Sequence, residues 1–124
     1  MRRSVFIPGF QHKNPIPGAS RVGNVVASGV INGVDPLTGA PATTLQRQCE
    51  LMFEHMRALV EAAGGSLDHV VKVTVWMADA SQRETLNAVW CTVFPDPQSR
   101  PARHTLATSM ANGLLVQCDF LAVL

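Results

Sequence analysis

The chain has 124 residues, of which 47% are hydrophobic and only 15% charged, with a formal net charge of +1. At this length one domain spanning residues 1–124 is expected, and the composition is too apolar for intrinsic disorder and too nearly neutral for nucleic-acid binding by bulk electrostatics. A soluble domain usually carries roughly 25% charged residues, so the shortage of charge points to a subunit that hides part of its surface in an oligomer.

Met1-Arg2-Arg3 opens like a signal peptide, but the apolar stretch that follows stops at Pro8-Gly9, too soon for a secretory h-region. No stretch approaches the roughly 20 apolar residues of a membrane span. Cys49, Cys91 and Cys118 are an odd number and lie far apart, which argues against a disulfide framework or a zinc site. Reduced thiols in a cytoplasmic protein without a membrane partner are the expectation.

Residues 8–20, with Pro8, Gly9, Pro15, Pro17 and Gly18, read as loop, and Pro17 holds Ile16 extended. Val22–Ser28 and Val30–Val34 flank Gly29 as a strand pair or as one bent strand with a bulge. Asp35-Pro36-Leu37-Thr38-Gly39 is a turn. From Thr43 to Ala63, apolar residues recur every three or four positions (Leu45, Cys49, Met52, Phe53, Met56, Leu59, Val60), which predicts an amphipathic helix stopped by Gly64-Gly65. His69–Met77 alternates as a strand, with Val71, Val73, Val75 and Met77 on one face and Lys72, Thr74 and Trp76 on the other. Ser81-x-x-Glu84 reads as a capping box for a second helix, whose apolar side carries Leu86, Val89, Trp90 and Val93 and which Pro95 ends. Arg103–Met110 and Leu114–Leu124 read as strands joined in a hairpin at Ala111-Asn112-Gly113. The order predicts an α+β two-layer fold, a mixed sheet with both helices on one face. Nothing is left to cover the other face, which again predicts association.

Nucleophile-elbow, P-loop, dinucleotide-binding and H-E-x-x-H motifs are absent, and tyrosine, a common acid/base residue, does not occur. The histidines His12, His55, His69 and His104 have no metal-like spacing, so structural or surface roles are expected and no metal. Ser99-Arg100-Pro101-Ala102-Arg103-His104-Thr105 stands out, because a proline-held approach would fix the Arg103 guanidinium at a strand start, where it can clamp a carboxylate or form a surface ion pair. Arg103 and Thr105 share one strand face and His104 takes the other. In the last strand Gln117 and Asp119 share a face, and Asp119, set in an apolar run, asks for a partner.

These residues together resemble the Rid family, the reactive intermediate (enamine/imine) deaminases, also called YjgF-like, endoribonuclease L-PSP or translation initiation inhibitor proteins. The resemblance runs from about Asn14 onward. It rests on Val22-Gly23-Asn24 leading to Ser28-Gly29, the Asp35–Gly39 turn, Leu59-Val60-Glu61-Ala62-Ala63-Gly64 and Val70–Val75. Leu86-Asn87-Ala88-Val89-Trp90, Phe94-Pro95 and above all Arg100–Thr105 complete it.

The resemblance implies a chorismate-mutase-like fold assembled as a homotrimer, with active sites in clefts between subunits. It implies a cofactor-free hydrolysis of 2-imino acids or their enamine tautomers to 2-keto acids and ammonia. Arg103 would clamp the substrate carboxylate, and main-chain groups near Thr105 and Gly29 would help bind it. Asn87, Trp90 and Ile16 would shape the pocket. Gln117 stands where the best-known members have a water-positioning glutamate, and Ile16 where they have a tyrosine. Gln117 orients water but takes no proton at neutral pH, so Asp119 is the alternative catalytic side chain. The more apolar Ile16 points to a larger enamine acid, such as the aminomuconate type. Two other readings stand beside this one: a trimeric small-carboxylate-binding protein without catalysis, and, with little support in the residues, a ribonuclease. Cys91 and Cys118 are the thiols whose reactivity the spacing leaves open.

Overall fold

The computed structural model describes residues 1–124. Its elements in chain order are β1 (Arg3–Val5), β2 (Ala19–Val22), β3 (Val25–Ser28), β4 (Ile31–Asn32), α1 (Leu45–Ala62), β5 (Val70–Met77), α2 (Arg83–Val93), β6 (Ala102–Ala107) and β7 (Val116–Val123). Short 3-10 turns at Leu67–His69 and Ala80–Gln82 precede β5 and α2. All seven strands form one sheet in the order β1-β2-β3-β7-β5-β6, with β4 continuing the β3 side of β7. Only β5 and β6 pair in parallel, so the sheet is mixed as expected.

Thr44 caps α1 by accepting from Arg47 N, and Gly64, at a φ of +101°, turns the chain out of it. The apolar stripe of α1 and that of α2 both pack on one sheet face. There Val26, Ile31, Val73, Val75, Met77, Cys118, Phe120 and Ala122 meet Met52, Phe53, Met56, Leu59, Leu86 and Trp90. The other face is bare and carries the exposed Val25, Val71, Leu106, Leu121 and Val123.

The bend at Gly29 is a bulge. From the pair Ala27–Leu121 to the pair Ile31–Cys118 the β3–β4 side advances four residues and β7 three. Ser28 Oγ repairs the ladder by accepting from Phe120 N at 2.9 Å.

Four expectations need correction. The strand placed at Val22–Ser28 is cut by a two-residue turn at Gly23-Asn24, where Gly23 has a φ of +58° and Val22 pairs with Val25. Its first half therefore reaches back to Ala19, and an additional edge strand, β1, lies where only a charged terminus was apparent. In β5, a register shift between Val70 and Lys72 throws Val71 out to the bare face, so Val70 takes the buried place. Ser81 does not cap α2. Asp79 instead accepts from both Ser81 N (2.9 Å) and Ser81 Oγ (2.6 Å), capping the preceding 3-10 turn. Finally, the last two strands form no hairpin: β5 lies between β6 and β7. The β5–α2–β6 crossover lays β6 parallel on the outer side of β5. The chain then passes over the end of β5, anchored by Thr108 N to Met77 O and Ala78 N to Leu115 O, both 3.0 Å.

Gln48, fully buried on α1, holds this last connection. Its Nε2 donates to Ala42 O (2.8 Å) and Gly113 O (2.9 Å), and its Oε1 accepts from Leu115 N (2.9 Å).

Candidate active site

Arg103 sits on the edge strand β6, opposite Val73 of β5, and so shares the helix-covered face with Val73. Thr105, opposite the buried Val75, lies on the same face, while His104, opposite Thr74, takes the bare one. The approach to β6 is held in place by Arg100, whose Nε donates to Phe94 O at 2.8 Å and ties the proline loop to the end of α2.

Two α2 residues a turn apart hold the Arg103 guanidinium. Its Nη2 donates to Asn87 Oδ1 at 2.6 Å, and its Cζ lies 4.9 Å over the Trp90 ring. Trp90 is itself buried, packed at 4.7 Å on Phe94 and at 6.0 Å edge-on to Phe53. No carboxylate pairs with Arg103: the ion pairs of the chain are those of Arg47 with Glu50 and Glu54. Partial burial, and then the charge of Arg83, pull its pKa below the ordinary arginine value. The result is a preorganised guanidinium with most of its N–H groups free for a planar oxyanion.

Gln117 and Asp119 do share a face, but it is the bare one. Gln117 lies opposite Trp76 and Asn32, and Asp119 opposite Thr74, while the buried Cys118 and Phe120 point to the helices. Asp119 is therefore not on the buried side. It has no hydrogen-bond partner; burial raises its pKa, and the charge of Lys72 offsets part of the rise. Gly29 lies in the bulge beside this pair, its N–H donating to Gly18 O at 3.0 Å. Ile16, on the loop leading to β2, is about half exposed, at 48%.

The chain thus brings Arg103, Asn87, Trp90 and Thr105 together at one sheet edge and places Gln117, Asp119 and Gly29 at the sheet centre on the opposite face. Within one subunit the two groups do not meet. Two residues at or near these groups, Arg83 and Gln48, went unnoticed in the sequence, and a third, His12, was expected only to be structural or on the surface. Arg83 lies one turn before Asn87 on α2. Gln48 steadies the connection that leads into β7. His12 approaches Gly29, its Nε2 buried without a partner and 3.8 Å from where a Cβ on Gly29 would lie. The ring of His12 packs edge-on to Phe10, which stacks on His55, and His55 Nε2 bonds Val34 O at 2.9 Å. A polar residue at an apolar helix position, as with Gln48 and His55, was the available signal for burial. His55 and His69, the latter bonded through Nδ1 to Ser66 N at 3.0 Å, have structural partners, as expected. No group of three or more His, Cys, Asp or Glu side chains is arranged to hold a metal ion, and no helix is long and apolar enough to cross a membrane.

Comparison with known proteins places this geometry among relatives. Residues 17–124 match the family model described as Endoribonuclease L-PSP. The chain is 36% identical over 101 residues to the 2-iminobutanoate/2-iminopropanoate deaminase of Salmonella typhimurium, covering 80% of this chain and 78% of that protein. It is 31% identical over 110 residues to a RutC family protein of Pyrococcus abyssi, covering 87% and 85%. Among solved structures, the crystal structure of RidA from the Antarctic bacterium Psychrobacter sp. superposes with a TM-score of 0.91 at 29% identity, over 98% of this chain and 99% of that one.

Proposed function

The chain belongs to the Rid family of YjgF-like, endoribonuclease L-PSP proteins, and from that membership we propose that it is a cofactor-free deaminase of reactive 2-imino or enamine carboxylic acids. The observation that carries the reading is the Arg103 guanidinium, oriented by Asn87 and Trp90 and left without an acidic partner. Such a group binds a carboxylate bidentately, which is the fixed part of every 2-imino acid. The similarity to a 2-iminobutanoate/2-iminopropanoate deaminase supports the same chemistry.

In the proposed reaction the substrate carboxylate lies on Arg103 and C2 faces a water. The water oxygen bonds to C2 as the C=N π bond opens onto nitrogen and a water proton passes to that nitrogen, giving a carbinolamine; the hydroxyl proton then passes to the nitrogen as the C=O bond forms and the C–N bond breaks, so that ammonia leaves and the 2-keto acid remains. Gln117 holds the water by hydrogen bonds, and Asp119 is the nearby titratable group that can pass a proton. Imine hydrolysis is intrinsically easy, so positioning supplies much of the acceleration and no cofactor is required. Ile16 makes the entrance apolar and suits a substrate larger than the smallest imino acids.

Because Arg103 and the Gln117/Asp119 pair lie on opposite sheet faces, the complete site is proposed to form between copies in a homotrimer, the bare face of one against the Arg103 edge of the next. The test is to generate 2-aminocrotonate in situ with a dehydratase and follow 2-oxobutyrate release. Acceleration by wild type that Arg103→Ala abolishes is expected; equal rates with wild type, variant and buffer would remove the proposal for this substrate. Gln117, in the place of a glutamate, favours one second reading, a carboxylate-binding protein without turnover. Arg103-dependent binding of 2-oxobutyrate by calorimetry with no acceleration would select it.

A further inference from the structure

Of the four histidines, His55 and His69 hold backbone partners, and the Nε2 of His12 is enclosed by its own chain. His104 differs: it is exposed on the bare face of the sheet and takes part in neither ion pair of the chain. The strand register sets what stands beside it. Thr74 of β5 lies opposite His104 of β6 on one side and opposite Asp119 of β7 on the other, so His104, Thr74 and Asp119 form one row across three adjacent strands. Neighbouring strands are about 4.8 Å apart, which sets the backbones of the two titratable residues about 10 Å apart with a short hydroxyl side chain between them. In the next row Trp76 stands between Leu106 and Gln117, and in the row before it Lys72 stands between Ala102 and Leu121. Lys72, His104 and Asp119 are thus the charged or titratable side chains that β5, β6 and β7 present on this face. A small substrate lying over Thr74 has a carboxylate on one side and an imidazole on the other, two groups of different proton affinity, as acid and base catalysis requires.

We propose that His104 is a further catalytic residue of the bare-face site, the acid that protonates the leaving nitrogen while Asp119 acts as the base. The inference rests on the deaminase reading and divides its proton transfers between two side chains. As the carbinolamine breaks down, the Asp119 carboxylate takes the hydroxyl proton and the oxygen's electron pair closes the C=O bond. The C–N bond pair leaves with nitrogen, which takes a proton from the His104 imidazolium. Ammonia, the 2-keto acid, neutral His104 and protonated Asp119 result, and passage of the Asp119 proton to His104 through water restores both side chains.

The test compares wild type, His104→Gln and His104→Ala in the release of 2-oxobutyrate from 2-aminocrotonate, generated by excess dehydratase, with blanks lacking the protein subtracted at every pH. His104→Gln should lower kcat by about a hundredfold, the lower end of what a positioned acid contributes, with KM changed by less than about twofold because the contact belongs to the transition state. Wild-type kcat should fall as pH rises across the range in which histidine gives up its proton, about pH 5 to 8, and that fall should be missing from both variants. Added imidazole should recover part of the kcat of His104→Ala. Light scattering and thermal melting, expected to match wild type because His104 is exposed on an edge strand, separate a lost acid from a lost assembly. Should a variant assemble poorly, the wild-type pH profile decides, and a kcat flat across that range overturns the proposal. An undiminished kcat in His104→Gln, a pH-dependent fall that persists in the variants, or a loss that imidazole does not recover overturns the role of His104 and leaves the deaminase reading standing. Absence of acceleration by wild type over the blank overturns both.

Discussion

The three thiols differ by burial. Cys49 is pushed up to about 12, first by burial and then by the charge of Glu50. Cys118 rises well above the ordinary thiol value through burial and then through Asp119 and Cys49, whereas Cys91 is exposed on α2. A folded sample titrated with an aromatic disulfide reagent at pH 8 should release one equivalent of thiolate quickly, from Cys91, and the other two only on denaturation. Rapid release of two or more equivalents would contradict the burial. Asp119 makes a second prediction. Its pKa is raised in the folded chain, mainly by burial, so the folded state binds this proton more tightly than the unfolded one. Stability from this group is fully present below the ordinary aspartate value, about 3.9, and is lost as pH rises through the folded value. Asp119→Asn should therefore raise Tm at pH 7 by a degree or two, of the order expected for a partly exposed group, and the gain should vanish near pH 3. The third concerns Gln117. If proton removal from water limits the proposed reaction, Gln117→Glu raises kcat by about tenfold or more; an unchanged rate assigns the proton transfer elsewhere, with Asp119→Asn as the next variant to assay.

At the scale of elements, the helices were legible because their signals are local. The three- and four-residue spacing of α1 and the Gly64-Gly65 stop lie within the segment they define, and the structure adds the Thr44 cap at its start. The strands were less so. Reading Val22 and Val25-Val26 as one strand concealed the Gly23-Asn24 turn between them, and the valine run of β5 gave no sign of the register shift at Val71. A strand's partner, not its own sequence, decides where a bulge falls. The connection from β6 to β7 depends on Gln48, whose amide satisfies three main-chain groups on two segments. Gln48→Leu puts an apolar side chain of similar size in its place but strands Ala42 O, Gly113 O and Leu115 N. Urea denaturation should show a loss of about 3 kcal/mol or more; a loss below about 1 kcal/mol would mean that water or backbone movement replaces these bonds.

At the scale of the whole molecule, the bare sheet face and the unpaired outer side of β6 are one problem with one proposed solution. Val25, Leu121 and Val123 stand together on that face next to Gln117 and Asp119, and β6 leaves its outer backbone groups open at the sheet edge. Light scattering after size exclusion should give a mass three times the 13.4 kDa of one chain. Leu121→Glu, which sets a charge in the middle of the bare face, should shift the chain toward monomers and reduce imine turnover in parallel, because Gln117 and Arg103 would no longer meet. A monomeric wild type, or full activity in a monomeric Leu121→Glu variant, would overturn the proposed assembly.

Composition and local patterning by themselves determined the two-layer class, both helices, the bare face and the singling out of Arg103, and the family resemblance added Asn87 and Trp90. These rest on short-range periodicity, on backbone chemistry at glycine and proline, and on an ordered set of motifs. Only the tertiary structure decided that β5 separates β6 from β7, that Arg103 and the Gln117/Asp119 pair lie on opposite faces, and that Asn87 and Trp90 of α2 hold the Arg103 guanidinium. Strand order comes from which crossover packs the helices over the sheet, and the face a residue takes follows from its pairing register. Both are set by contacts between segments far apart in the chain, and no window of neighbouring residues contains them.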